Sequence, residues 1–184
     1  LRLIPQFESK SFLAFDFKNA SDIIAAMSEI GGVLIHASAG VLAGQAWLMP
    51  GPSGTGKTTA SRGGFERVLS DERVILVRTD TGYSVWGTPF WSDGRTLPLD
   101  ADCAPLGGIA RLSKATRSEK TDLPRAEMLS WVLGSIVVYG KQPKQAVSAF
   151  VFASELVESV PCIDLEFPRE GVWAPSMLNP IGLA

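Results

Sequence analysis

The sequence predicts an α/β domain with a mixed sheet and flanking helices, and three observations carry that prediction. Strand-like and helix-like segments are interspersed without the strict alternation of a doubly wound fold. A glycine-rich loop, Gly51-Pro-Ser-Gly-Thr-Gly-Lys-Thr58, lies between a short apolar run and a helix candidate. Finally, 184 residues with 46% hydrophobic and 20% charged side chains suit one soluble domain spanning residues 1–184.

Charge and cysteine usage narrow the function classes. Seventeen basic and 19 acidic residues are spread along the chain for a net charge of −2. No basic block is present, so nucleic acid is not an expected partner. Cys103 and Cys162 match no metal spacing. Free thiols in a reducing cytoplasm are the expectation, with a single disulfide left open. One histidine, His36, argues against a zinc site. From Gly31 to Gly56 there is no Asp, Glu, Lys or Arg, and ~20 apolar residues would span a membrane. His36, Ser38, Gln45, Pro50 and several glycines break that run into Val33–Ala37 and Ala46–Met49. We read two buried strands around a turn, no membrane helix, no evident signal peptide and a cytoplasmic protein.

The remaining elements follow from periodicity and punctuation. Leu1–Ile4 and Phe12–Phe17 read as strands. Ser21 or Asp22 can cap a helix that Gly31-Gly32 stops after Ile30. The helix after Lys57 must be short, because Gly63-Gly64 follows. Arg67–Leu69 and Arg73–Arg78 read as strands, and Thr79-Asp-Thr-Gly82 turns the second back into Tyr83–Gly87. Thr88–Pro105 reads as irregular, and Gly108–Leu112 as a strand. Asp122 is expected to cap a helix with Pro124 in its first turn and Met128, Leu129, Val132, Leu133 and Ile136 inward. A second helix from near Pro143 carries Val147, Phe150, Val151, Ser154 and Leu156, and Cys162–Phe167 is a last strand.

Gly51-x4-Gly56-Lys57-Thr58 is the Walker A pattern, which arises by chance in under ~1% of chains this long. Glycines let successive N–H groups converge on a phosphate, and the helix start adds a partial positive charge. Lys57 would neutralise the β- and γ-phosphates of ATP, and the Thr58 hydroxyl would ligate Mg2+. The predicted nucleotide contacts are Gly51, Pro52, Ser53, Gly54, Thr55, Gly56, Lys57, Thr58 and Thr59.

A kinase also needs a carboxylate near the γ-phosphate. Asp71 and Glu72, between two apolar strands, are the candidates, although on pattern alone a solvated turn is the simpler account. His36 on an apolar strand reads by itself as a hydrogen-bonded core histidine. Arg111, Lys114 and Arg117 could reach a phosphate, with surface solvation as the default. Trp86, Phe90 and Trp91 could line a pocket or simply pack.

His36, the loop Gly51–Thr58 and Ser70-Asp-Glu-Arg-Val74 together resemble the catalytic domain of HPr kinase/phosphorylase. That family places a histidine fifteen residues before a G-x-S-G-x-G-K-S loop, as His36 stands before Gly51, and follows it with Asp-Asp-x-Val. Here Asp71-Glu-Arg-Val74 lies a few residues nearer the loop. The resemblance implies a P-loop kinase domain shared with phosphoenolpyruvate carboxykinases. It makes Asp71 the base that takes a seryl proton, Glu72 an aid to metal or positioning, and His36 a neighbour of the transferred phosphate. It also suggests a homo-oligomer. Within residues 1–184 no counterpart of the family's amino-terminal domain is expected, and its Glu-Val-Arg-Gly-Leu-Gly-Ile segment has only a loose echo in Ala104-Pro-Leu-Gly-Gly-Ile109. The smaller HPr-kinase-like proteins associated with peptide modification fit better, with Val85-Trp-Gly-Thr-Pro-Phe90 and Leu165-Glu-Phe-Pro as weaker echoes. The expected activity is ATP- and Mg-dependent transfer to a hydroxyl, a serine of a peptide or protein. A small-molecule kinase and a non-catalytic nucleotide-binding regulatory module are the alternatives.

Overall fold

The computed structural model describes residues 27, 30–63, 65–88, 102–138, 143–168 and 175–178. The predicted strands at 1–4 and 12–17 and most of the helix before Ile30 lie outside them. Gly31 adopts φ +70°, as a glycine stop requires.

Eight strands form the framework: β1 (Gly32–Leu42), β2 (Gln45–Pro50), β3 (Arg67–Ser70), β4 (Arg73–Thr79), β5 (Gly82–Gly87), β6 (Cys103–Lys114), β7 (Glu119–Asp122) and β8 (Cys162–Phe167). Helices α1 (Lys57–Ser61), α2 (Arg125–Ser135) and α3 (Pro143–Ser159) and a 3-10 turn at Pro175–Leu178 complete the described chain. The class is α/β with a mixed sheet. Among the described residues no helix is long and apolar enough to cross a membrane. Both cysteines are free thiols.

Two long strands each serve two sheets. The first half of β1 pairs with β4, and its second half with β2 and β3, all antiparallel. The start of β6 pairs antiparallel with β5, and its remainder runs parallel to β2 and β8. The hydrogen-bonded path therefore closes through β2, β1, β4, β5 and β6 back to β2. Register shifts at Ala39/Gly40 and at Ala46/Trp47 accompany these changes of partner.

The main core lies between one sheet face and helices α2 and α3. It holds Ile35, Leu48, Leu76 and Ile109 from the strands, Met128 and Val132 from α2, and Phe152 and Leu156 from α3. Tyr83 meets Phe152 edge to face, with ring centroids 5.4 Å apart. The opposite face packs Trp47, Met49, Leu112 and Leu165 against Ala60 of α1 and Leu178. Parallel strands β2, β6 and β8 are thus covered on both sides, as parallel pairing requires.

Several elements depart from the sequence expectations. β1 runs past Gly40 to Leu42 by pairing with β2 and β3, and Gly40 is no turn but the place where the Phe65 ring occupies the space of a side chain. Cys103–Pro105, expected to be irregular, pairs with β5. Asp122 does not cap a helix: it ends β7 opposite Ile163, and Pro124 takes the N-cap position with no side-chain cap. β7 is short, exposed and charged, as an edge strand should be, and has no apolar alternation to reveal it. In α3 the buried stripe is Ala149, Phe152, Ala153, Leu156 and Val157, while Val147, Phe150 and Val151 are exposed. The stretch Ala146–Ala153 is apolar at every position but Ser148, so composition there leaves the helix's rotation open and packing decides it.

The β2–β6 pair that carries the glycine-rich loop depends on a missing side chain. Trp47, only 4% exposed, lies across Gly108, where a Cβ would fall 2.5 Å from its ring. Gly108→Ala should cost about 1–3 kcal/mol through overpacking. The check is a lower denaturation midpoint at unchanged slope; an unaltered midpoint would mean that Trp47 moves aside freely.

Candidate functional site

A single peptide group of β1, the His36–Ala37 amide, assembles the site through its two opposed polar atoms. The His36 carbonyl accepts the Gly51 N–H at 3.2 Å, and the Ala37 N–H donates to the Glu72 carbonyl at 3.1 Å. The first bond fixes the start of the glycine-rich loop and the second fixes the acidic turn. β3 and β4 lie end to end along one side of β1, and the register holds across the break between them, with Ala39 opposite Ser70 and His36 opposite Arg73, before slipping by one residue at Gly40. Asp71 and Glu72 are the bends between them. The Ser70 hydroxyl oxygen accepts the N–H groups of Glu72 and Arg73, each at 3.3 Å, and so holds the break open.

That break decides where Glu72 points. Strict strand alternation would put it on the face opposite His36. Freed from alternation, its Oε1 lies 3.3 Å from His36 Nε2, a close approach without hydrogen-bond alignment. Asp71 is buried, 2% exposed, so the solvated-turn account of this pair does not hold for it.

The loop itself combines three left-handed glycines, Gly51 (φ +149°), Gly54 (φ +85°) and Gly56 (φ +104°). Two of them also lack room for a side chain. A Cβ on Gly51 would fall 3.2 Å from Trp131 Cζ2, and one on Gly56 would fall 3.0 Å from Phe167 Cζ. Pro52, Ser53 and Gly54 are exposed, while Thr55, Thr58 and Thr59 are partly buried. Thr55 Oγ1 donates to the Pro52 carbonyl at 3.0 Å. Helix α1 has five residues, so its dipole adds little, and anion affinity must come from the loop's own N–H groups.

Lys57 opens α1 with its side chain folded back over the loop. Its Nζ donates to the carbonyls of Gly51 and Pro52, both at 2.9 Å. Burial pushes its pKa down, and the charges of Glu72 and Asp71 oppose the shift. Both carboxylates therefore lie within electrostatic range of the ammonium. His36 is also pushed below its ordinary value, first by burial and then by the Lys57 charge, with Glu72 pulling the other way. His36, Lys57, Asp71 and Glu72, spread over 37 positions of sequence, form one electrostatic cluster beside the loop.

Other candidates lie elsewhere. Arg111 is committed to Asp164 through Nε at 3.1 Å and Nη2 at 2.7 Å, and to Glu127 through Nη1 at 3.1 Å. Burial pushes the Asp164 carboxyl up, but hydrogen bonds from Arg111 and Ser113 outweigh it and leave the pKa lowered. Lys114 and Arg117 are exposed. Trp86 is a core residue beside Met27, Leu34 and Ile75; Phe90 and Trp91 lie outside the described residues. Sequence reading missed Trp131, whose Nε1 donates to the Pro50 carbonyl at 2.7 Å. Its spacing four residues after Glu127 looks like any partly buried helix position, so no sequence signal marks it.

His36 is the chain's single histidine, so its imidazole proton resonance is unambiguous. It should titrate below the ordinary value of 6.5, and Glu72→Gln should lower it further by removing the opposing charge. A histidine that resists protonation when folded contributes stability that is present above pH ~6.5 and lost as pH falls towards the folded value. An NMR titration giving a normal or raised pKa would contradict this electrostatic picture.

The chain matches no curated protein. The model of the family described as SynChlorMet cassette protein ScmC matches residues 6–177, nearly its whole length, and the chain belongs to that family.

Proposed function

We propose that this chain is an ATP- and magnesium-dependent phosphotransferase of the HPr-kinase-like P-loop type, acting on a serine hydroxyl of a peptide or protein. The observation that carries the reading is the pair of backbone bonds at His36 and Ala37, which sets the buried Asp71 and its neighbour Glu72 beside the glycine-rich loop. A Walker A sequence alone would support nucleotide binding only; an acidic pair joined to it by the fold supports transfer.

The roles follow from chemistry and position. The glycine-rich loop would cradle the β-phosphate with its N–H groups, and Lys57 would leave the Gly51 and Pro52 carbonyls to follow the γ-phosphoryl group. Among the described residues no three His, Cys, Asp or Glu side chains cluster as a metal cage. Magnesium needs none, because it takes one or two protein ligands and fills the rest with phosphate and water. Thr58 and Glu72 would hold it, and it would neutralise charge on the transferring group. Asp71 would accept the acceptor's hydroxyl proton as its oxygen bonds to phosphorus and the bond to the ADP oxygen breaks. His36 would remain neutral near neutral pH and offer a polar edge to the phosphoryl oxygens without adding a full charge.

Lys57→Ala should lose magnesium-dependent ATP binding in calorimetric titration. Asp71→Asn should keep nucleotide affinity within a few-fold while ADP formation with serine peptides falls by at least ~100-fold, the scale of a lost general base. Full turnover in Asp71→Asn would remove Asp71 from the mechanism. Transfer to a metabolite without peptide would favour a small-molecule kinase, and binding with no turnover on any acceptor would favour a regulatory module.

A further inference from the structure

We infer that Trp131 is a positioning residue for the glycine-rich loop, fixing the Pro50–Gly51 peptide group and through it the loop's affinity for the phosphates of a nucleoside di- or triphosphate. The inference rests on the phosphate-binding reading of the loop and adds a residue outside the Walker A sequence.

Both polar atoms of that peptide group are held by residues distant in sequence. The Pro50 carbonyl accepts the Trp131 Nε1–H at 2.7 Å, and the Gly51 N–H donates to the His36 carbonyl at 3.2 Å. A peptide group is planar, so restraining its oxygen and its nitrogen sets the whole plane. The Gly51 carbonyl in turn accepts Lys57 Nζ, which passes the orientation to the ammonium. The indole edge also closes the side of Gly51.

Trp131 is itself firmly placed. Met128 and Val132 of α2 are fully buried in the main core. At one end of the helix Glu127 contacts Arg111. At the other, Ile136 bridges to Ile35, and the Val137 N–H donates to the Leu34 carbonyl at 2.9 Å. Packing alone does not call for an indole here, since phenylalanine could fill much of the space but could not bond the carbonyl. A loop fixed before the ligand arrives loses less conformational freedom on binding.

Two variants and three measurements test this. Trp131→Phe keeps a ring and removes the donor; Val132→Ala loosens the core one residue away and serves as the control. In the ligand-free protein, Gly51 amide exchange should rise about tenfold in Trp131→Phe, and MgADP affinity should fall by about the same factor, the scale of one lost hydrogen bond. Val132→Ala should lower the melting temperature and leave MgADP affinity within about twofold. Unchanged Gly51 exchange in Trp131→Phe overturns the inference, as does faster exchange with unaltered MgADP affinity. So does an equal loss of affinity in Val132→Ala, because it would make Trp131 an ordinary packing residue. A wild-type protein that fails to bind MgADP overturns the phosphate reading itself, a result distinct from wild type and Trp131→Phe binding equally well.

Discussion

The site depends on one peptide group of β1, the His36–Ala37 amide, whose two polar atoms face different partners. At His36 the strand gives its carbonyl to the loop, and at Ala37 it gives its N–H to the acidic turn. Neither bond involves a side chain, so the spacing between loop and acids is set by backbone geometry and is insensitive to most substitutions. Side chains then supply the chemistry on a spacing already fixed. This division explains how the acidic pair can stand on a break between two strands and still hold its place. The register is the same at Ser70 and Arg73 on either side, so the break redirects side chains without loosening the backbone there.

Burial and charge work against each other at this centre. Lys57 is removed from water, which disfavours its ammonium, and the two nearby carboxylates restore part of that loss. Asp71 is more deeply buried than Glu72, and Glu72 lies against His36. The cluster thus holds one cation, two acids and an imidazole that burial and the lysine keep from charging readily. Such a cluster is costly to maintain for stability alone. Perturbed groups gathered beside an open loop are what a functional site looks like in physical terms.

Much of this was legible in the sequence, for reasons that differ by element. The short α1 followed from Gly63-Gly64, and the β4–β5 hairpin from the turn residues after Thr79, because local punctuation acts over a few residues. The glycine-rich loop was legible because left-handed backbone leaves little choice but glycine. The proximity of Asp71 to that loop came from resemblance, since pattern alone favoured a solvated turn. Long-range facts were invisible. Nothing local in Glu119–Asp122 says that it will pair with β8, and nothing near Cys103 says that β6 begins there. The buried side of α3 and the bond from Trp131 are set by partners far along the chain, which periodicity cannot name.

The closed strand path has a consequence for how the protein matures. β2, which carries the loop, obtains its parallel partner only when β6 arrives, across three intervening strands. During synthesis the loop emerges well before that partner, and parallel long-range pairings form late because chain closure must come first. The loop is then a property of the finished molecule and not of any early fragment. A molecule that occupies it should select completed chains over partly folded ones, adding folding free energy in proportion to the logarithm of its concentration once saturation is passed.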